Sequence, residues 1–120
     1  MITKKSNKPQ NISNRLEVDV ELDISVIKVL VEEAKTSVPV YVNDVAMLLE
    51  DGSYFKALAV LHKLKGLCAN MGFEVMQNLV SELENYIIRS PKIDINDLRA
   101  RVTSIEEAWE AVLSELWIIS

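Results

Sequence analysis

Apolar residues recur every three or four positions along most of the chain, which is the period of an amphipathic helix. The pattern predicts one helix from about Tyr54 to Met71 and the next from about Phe73 to Arg89. The last predicted helix has the clearest pattern, because its apolar residues alternate steps of four and three and form a heptad-like seam. The seam consists of Leu98, Val102, Ile105, Trp109, Val112 and Leu116.

Two further helices are predicted ahead of these three. The first begins after Asp23, and the second carries Val42, Val45 and Leu49 on one side. A break between them is predicted at Ser37-Val38-Pro39, because proline is tolerated only in the first turn of a helix. Short loops between the later helices imply antiparallel neighbours. The predicted fold class is therefore all-α, an up-down-up-down antiparallel four-helix bundle with an additional N-terminal helix.

Residues 1–22 lack the helical period, and we predict that they form a polar N-terminal tail or linker. Residues 23–120 are then the helical bundle. The chain has 120 residues, which is the size of a single domain. Its content of 49% hydrophobic and 26% charged residues is typical of a globular domain with one core.

Charge and cysteine content exclude several classes of function. The net charge of −5 argues against nucleic acid as a partner, because phosphate binding needs a basic surface. No apolar run approaches the roughly 18 residues that suggest a membrane span, so we expect no membrane insertion. Cys68 is the only cysteine, so no internal disulfide can form and a cytoplasmic setting fits best.

His62, the only histidine, lies in the middle of the predicted helix 54–71 but away from its core face. On a helical projection the core residues of this helix, which include Leu61, Leu64 and Cys68, lie about 100° to 200° from it. A second apolar face surrounds the histidine, and exposed apolar patches usually mark docking sites. This partner-binding face consists of Phe55, Leu58, Ala59, Gly66 and Ala69.

An alternative interpretation of that face is that Phe55 and Leu58 pack under the N-terminal helix. Gly66 costs roughly 1 kcal/mol relative to alanine in a helix interior. Because it lies one turn from His62, its missing side chain opens space for another molecule to approach.

The residue types around His62 favour one kind of chemistry. A single histidine supplies too few ligands for a metal site, so no metal site is predicted. Cys68 lies on the core side of the helix, which argues against a Cys–His pair, and no glycine-rich phosphate loop is present. What remains is an exposed imidazole that is itself the substrate, since a neutral imidazole can accept a phosphoryl group. Lys65, one turn along, can offset the charge of that group.

A group of residues in register with His62 resembles the histidine-containing phosphotransfer (HPt) domain of multistep two-component relays. That family carries an H-x-x-K-G core, a glycine ten residues after the histidine, and a Leu-Glu or Leu-Gln pair that ends 22 residues after it. The "EDGS" turn ahead of the histidine is also similar, and the resemblance spans roughly residues 24–118. The matching residues are His62, Lys65, Gly66, Gly72, Leu83 and Glu84.

The resemblance implies that His62 is the phosphoacceptor, phosphorylated on Nε2 by a partner's aspartyl phosphate before it passes the group to another aspartate. It implies that Lys65 steadies the phosphoryl group, that Gly66 gives the partner room, and that Glu84 orients the imidazole. The implied partner is the receiver domain of a response regulator or of a hybrid sensor kinase. That receiver supplies the divalent metal ion, so no cofactor is expected here, and the domain is expected to be a monomer without autonomous kinase or ATPase activity.

Several alternatives stay open at the level of sequence. The chain could be a helical interaction module in which His62 is incidental. The dimerisation helix pair of a sensor kinase fits less well, because it would need a longer two-helix hairpin and an adjoining ATP domain. Glu84 could form a plain surface salt bridge. Leu67 and Cys68 follow the glycine where relatives often carry small residues such as serine, so a hydroxyl that could help to orient the imidazole is absent. The polar start and the abrupt end slightly favour the last domain of a hybrid sensor kinase over a free-standing protein.

Overall fold

A computed structural model describes the backbone of residues 24–119 and the side chains of residues 24–116. This part of the chain forms four helices, α1 (Ile24–Glu50), α2 (Tyr54–Met71), α3 (Glu74–Arg89) and α4 (Ile95–Ile119), and contains no strand. The predicted tail, residues 1–22, lies outside the described residues. None of the helices within residues 24–119 is long and apolar enough to cross a membrane.

The four helices form a closed antiparallel bundle. Helix α1 packs against α2 and α4, and α3 packs against the same two helices, so each helix has two neighbours. The connecting segments are short, at residues 51–53, 72–73 and 90–94, and consecutive helices therefore run in opposite directions. The predicted all-α bundle is confirmed.

Helix α1 differs from the prediction because it is continuous. The predicted break at Ser37-Val38-Pro39 is wrong, and the expected additional N-terminal helix is the first part of α1, which spans 27 residues with Pro39 inside it. A proline in a helix interior costs about 3 kcal/mol. Pro39 is exposed, whereas Val38 and Val42 on either side of it are buried. Burying each such side chain stabilises the fold by about 1.5–3 kcal/mol, which offsets the cost of the proline.

The core runs along the whole bundle and contains the predicted seam of α4. Leu98, Ile105 and Leu116 are almost fully buried, while Val112 is only partly buried. The ring of Trp109 lies 6.1 Å from the ring of Phe73, measured between centroids, at a tilt of 55°. This aromatic pair joins α4 to the turn between α2 and α3.

Gly72 ends α2 in the left-handed conformation that glycine adopts readily, with φ 78° and ψ 24°. Its backbone N–H donates to the carbonyl of Ala69, and the N–H of Phe73 donates to the carbonyl of Cys68 at 2.9 Å. These bonds satisfy carbonyl groups at the end of the helix. The tight turn that results sends α3 back along α2 and sets the register between the two helices.

Candidate functional site

His62 is exposed and is the ninth of the 18 residues of α2. Leu61, Leu64 and Cys68 are buried on the opposite side of the same helix, as the helical projection predicts. Within residues 24–116 no hydrogen bond or ion pair reaches the imidazole. The ring is therefore held by the helix alone and is open to a molecule that approaches from solvent.

Lys65 and Glu84 form an ion pair between α2 and α3. The ammonium Nζ of Lys65 lies 2.7 Å from Oε1 of Glu84, and the side chains are 33% and 12% exposed, respectively. The pair is therefore not a plain surface salt bridge, because the carboxylate is almost fully withdrawn from water. The resemblance implies that Glu84 orients the imidazole, whereas in this structure its carboxylate accepts from Lys65.

The apolar residues predicted around His62 are exposed to different degrees. Phe55 is 89% exposed, so it does not pack under α1 as the alternative interpretation has it. Ala59 and Gly66 are exposed, whereas Leu58 and Ala69 are partly buried. Apart from its chain neighbours and the backbone of its own helix, a Cβ atom built on Gly66 would meet no atom within 4 Å, so the space beside His62 is open. We call Phe55, Leu58, Ala59, Gly66 and Ala69 the His62 face.

Helix α2 is basic, although the chain as a whole carries a net charge of −5. Its residues Tyr54–Met71 include Lys56, Lys63 and Lys65 and no acidic residue. Lys56 and Lys63 are exposed. Charges of one sign on one element create a local potential that attracts a partner of opposite charge. The histidine therefore lies on a helix whose charged side chains are all positive, although the domain as a whole is acidic.

The family model of the Hpt domain matches residues 29–117, a stretch that reaches into all four helices. The chain belongs to the Hpt domain family. At the family level, Hpt domains carry out histidine phosphotransfer in two-component signalling and interact with receiver domains. Neither the curated proteins nor the solved structures with which the chain was compared include a match.

In this Hpt domain the neighbour of α2, helix α3, carries an exposed apolar residue that the sequence analysis missed. It is Ile88, which lies one turn after Glu84, the partner of Lys65. Ile88 is 64% exposed. A signal was present in the sequence, since Ile88 lies four residues after Glu84 and off the apolar stripe of its helix.

Cys68 takes no part in the chemistry of the Hpt site. Its side chain is buried, and burial raises the pKa of the thiol to about 12. The thiolate is the nucleophilic form of cysteine, so a thiol with this pKa is unreactive near neutral pH. Leu67, the other departure from the family pattern, is partly buried against the core. Both residues therefore contribute to packing rather than to hydrogen bonding around the imidazole.

Proposed function

We propose that this Hpt domain relays a phosphoryl group between receiver-domain aspartates through His62. The observation that supports the proposal best is the exposure of the only histidine at the middle of α2, in a domain whose family performs histidine phosphotransfer. An exposed imidazole in the centre of a rigid helix can enter the active-site pocket of a partner without any unfolding of the bundle.

The proposed step is a nucleophilic substitution at phosphorus. The lone pair of His62 Nε2 forms a P–N bond while the P–O bond to the receiver's aspartate breaks. The aspartate leaves as a carboxylate with the electron pair, and the Nδ1 proton stays on the ring, which becomes positively charged. Transfer to the aspartate of a second receiver reverses these changes and regenerates the neutral imidazole.

The two proteins have different tasks in this step. The receiver supplies the acidic pocket and the divalent metal ion that neutralises the phosphoryl oxygens, and the Hpt domain positions the imidazole. Lys65, one turn from His62, is the residue of this chain that can add a positive charge beside the bound phosphoryl group. In this proposal the domain has no cofactor of its own and does not phosphorylate itself.

The docking surface proposed for the receiver is the His62 face together with Ile88. Phe55 and Ile88 are large exposed apolar side chains, one on α2 and one on α3, and a few large side chains near the centre of an interface supply most of its binding energy. The basic α2 complements the acidic pocket of a receiver and would speed association. Gly66 leaves the space that such a close approach requires.

One histidine on one face can serve one receiver at a time, and we propose that the domain acts as a monomer. We also propose that it acts in the cytoplasm. The single free thiol of Cys68 is compatible with that compartment.

The test is phosphoryl transfer from a panel of receiver domains that have been phosphorylated beforehand. Acid-labile phosphate should appear on the wild-type domain with at least one receiver, and none should appear on His62→Gln, whose helical circular dichroism should be unchanged. A wild-type domain that binds a receiver but never becomes labelled would instead be an interaction module, in which His62 is incidental.

A further inference from the structure

Among the residues whose side chains the structure describes, Glu84 is the charged residue that is buried. A buried carboxylate is costly unless a positive charge and hydrogen bonds compensate for its lost hydration. Lys65 provides that compensation at 2.7 Å. The ammonium of Lys65 therefore already has an anionic partner before any phosphoryl group arrives.

The same ammonium lies one helical turn from His62, where the phosphoryl group would be bound. Two anions then compete for one cation. When Lys65 turns toward the phosphoryl oxygens, its bond to Glu84 lengthens, and the buried carboxylate loses its compensating charge. Lys65 gains an interaction with the phosphoryl group but loses part of its interaction with Glu84. Its net stabilisation of the phosphorylated state is therefore smaller.

We infer that Glu84 is a positioning residue that weakens the hold of His62 on the phosphoryl group by competing for Lys65. This inference rests on the proposed function. A weaker hold raises the tendency of the phosphohistidine to pass its phosphoryl group to the next receiver. Glu84 therefore sets the phosphoryl-transfer equilibrium, and it does so through Lys65 rather than through contact with the imidazole.

A role for Glu84 in orienting the imidazole has the opposite sign. A carboxylate that accepts a hydrogen bond from Nδ1–H stabilises the positive charge that the ring gains on phosphorylation. Its removal would then lower the phosphorylated fraction. Competition for Lys65 instead means that removal of the carboxylate charge raises this fraction. The two roles are therefore distinguished by whether the equilibrium constant for phosphorylation of the domain rises or falls when the carboxylate charge is removed.

The experiment measures the equilibrium constant for phosphoryl exchange between the domain and one phosphorylated receiver. Glu84→Gln keeps the size and hydrogen-bonding capacity of the side chain and removes its charge. We expect this variant to shift the equilibrium toward the phosphorylated domain by about fivefold to tenfold, the scale of one partly screened charge-assisted hydrogen bond. An unchanged equilibrium constant, or a shift toward the phosphorylated receiver, would overturn the inference.

A second pair of variants tests whether the effect passes through Lys65. Lys65→Gln alone leaves Glu84 buried without its partner and could unfold the domain, so the comparison uses Glu84→Gln with and without Lys65→Gln. The double variant should lose the gain of Glu84→Gln, and retention of that gain would show that Lys65 is not the intermediary. If the wild-type domain accepts no phosphoryl group at all, the proposed function fails; if it is labelled and Glu84→Gln has no effect, only this inference fails.

Discussion

Arg99, in the first turns of α4, donates two parallel hydrogen bonds to the carboxylate of Glu50, the last residue of α1. Its Nε lies 2.7 Å from Oε2 and its Nη2 lies 2.9 Å from Oε1. The two residues are 49 positions apart in the chain, and the bonds join the ends of two neighbouring helices. The hydrogen bonds from Arg99 hold the pKa of Glu50 below its usual value, although both side chains are exposed.

This pKa predicts how Glu50→Gln responds to pH. A carboxylate with a lowered pKa in the folded state stabilises the fold above its unfolded-state pKa, and that contribution is lost as the pH falls through the lower, folded-state value. The wild-type domain should therefore have a higher urea midpoint than Glu50→Gln at pH 7, and the gap should close below about pH 4. Glu107→Gln, at an exposed position of α4, is the control and should show no such gap. A gap that stays constant down to low pH would contradict the assignment.

Alanine substitutions at Gly66 and Gly72 should change the free energy of unfolding in opposite directions. Gly66 lies in the helix with open space beside it, so Gly66→Ala should raise the free energy of unfolding by about 0.5–1 kcal/mol. Gly72 has a positive φ of 78°, so Gly72→Ala should lower it by about 1–2 kcal/mol. Chemical denaturation of both variants checks the pair, and a loss of stability in Gly66→Ala would show that the space beside His62 is not open.

A long side chain at Gly66 should slow phosphoryl transfer without unfolding the domain. Gly66→Gln places an amide beside His62, where the receiver must approach closely. The transfer rate should fall about tenfold or more, because small displacements of reacting groups have large effects on rate. The control is Ala100→Gln, which puts the same side chain on an exposed position of α4. Equal rates for Gly66→Gln and this control would mean that the receiver does not approach the histidine along this side of α2.

Alanine substitutions at Trp109 and His62 should show that one residue is needed for stability and the other for function. Trp109 is buried in the seam of α4, so Trp109→Ala should lower the free energy of unfolding by about 3–5 kcal/mol. His62 is exposed, so His62→Ala should change it by no more than about 0.5 kcal/mol. The same change should abolish phosphoryl transfer. If His62→Ala destabilised the domain as much as Trp109→Ala does, the histidine would belong to the core.

Local patterns predicted most of the bundle from the sequence. The bounds of α2 agree with the prediction at Tyr54 and Met71, because Gly72 ends the helix through its own backbone preference. The break predicted at Pro39 was wrong because tertiary packing outweighs the local tendency of proline to interrupt a helix. The apolar stripe that includes Val38 and Val42 continues through the proline, and its burial decides the outcome.

The candidate site was predictable along one helix and less so between helices. The exposure of His62 follows from the helical period alone. The pairing of Lys65 with Glu84 depends on the register between α2 and α3, which no periodicity within one helix reports. Ile88 was missed for the same reason, since its place on the helix next to α2 emerges only when the two helices are packed together.

The antiparallel ring of four helices has a consequence for how the domain can be attached to other domains. An even number of antiparallel helices brings the start of α1 and the end of α4 to the same end of the bundle, and the turns at 51–53 and 90–94 lie at the other end. His62 is half-way up the side of this cylinder. Both ends of the described chain therefore lie away from the middle of α2, and a domain joined at that end of the bundle need not cover the side that presents the histidine.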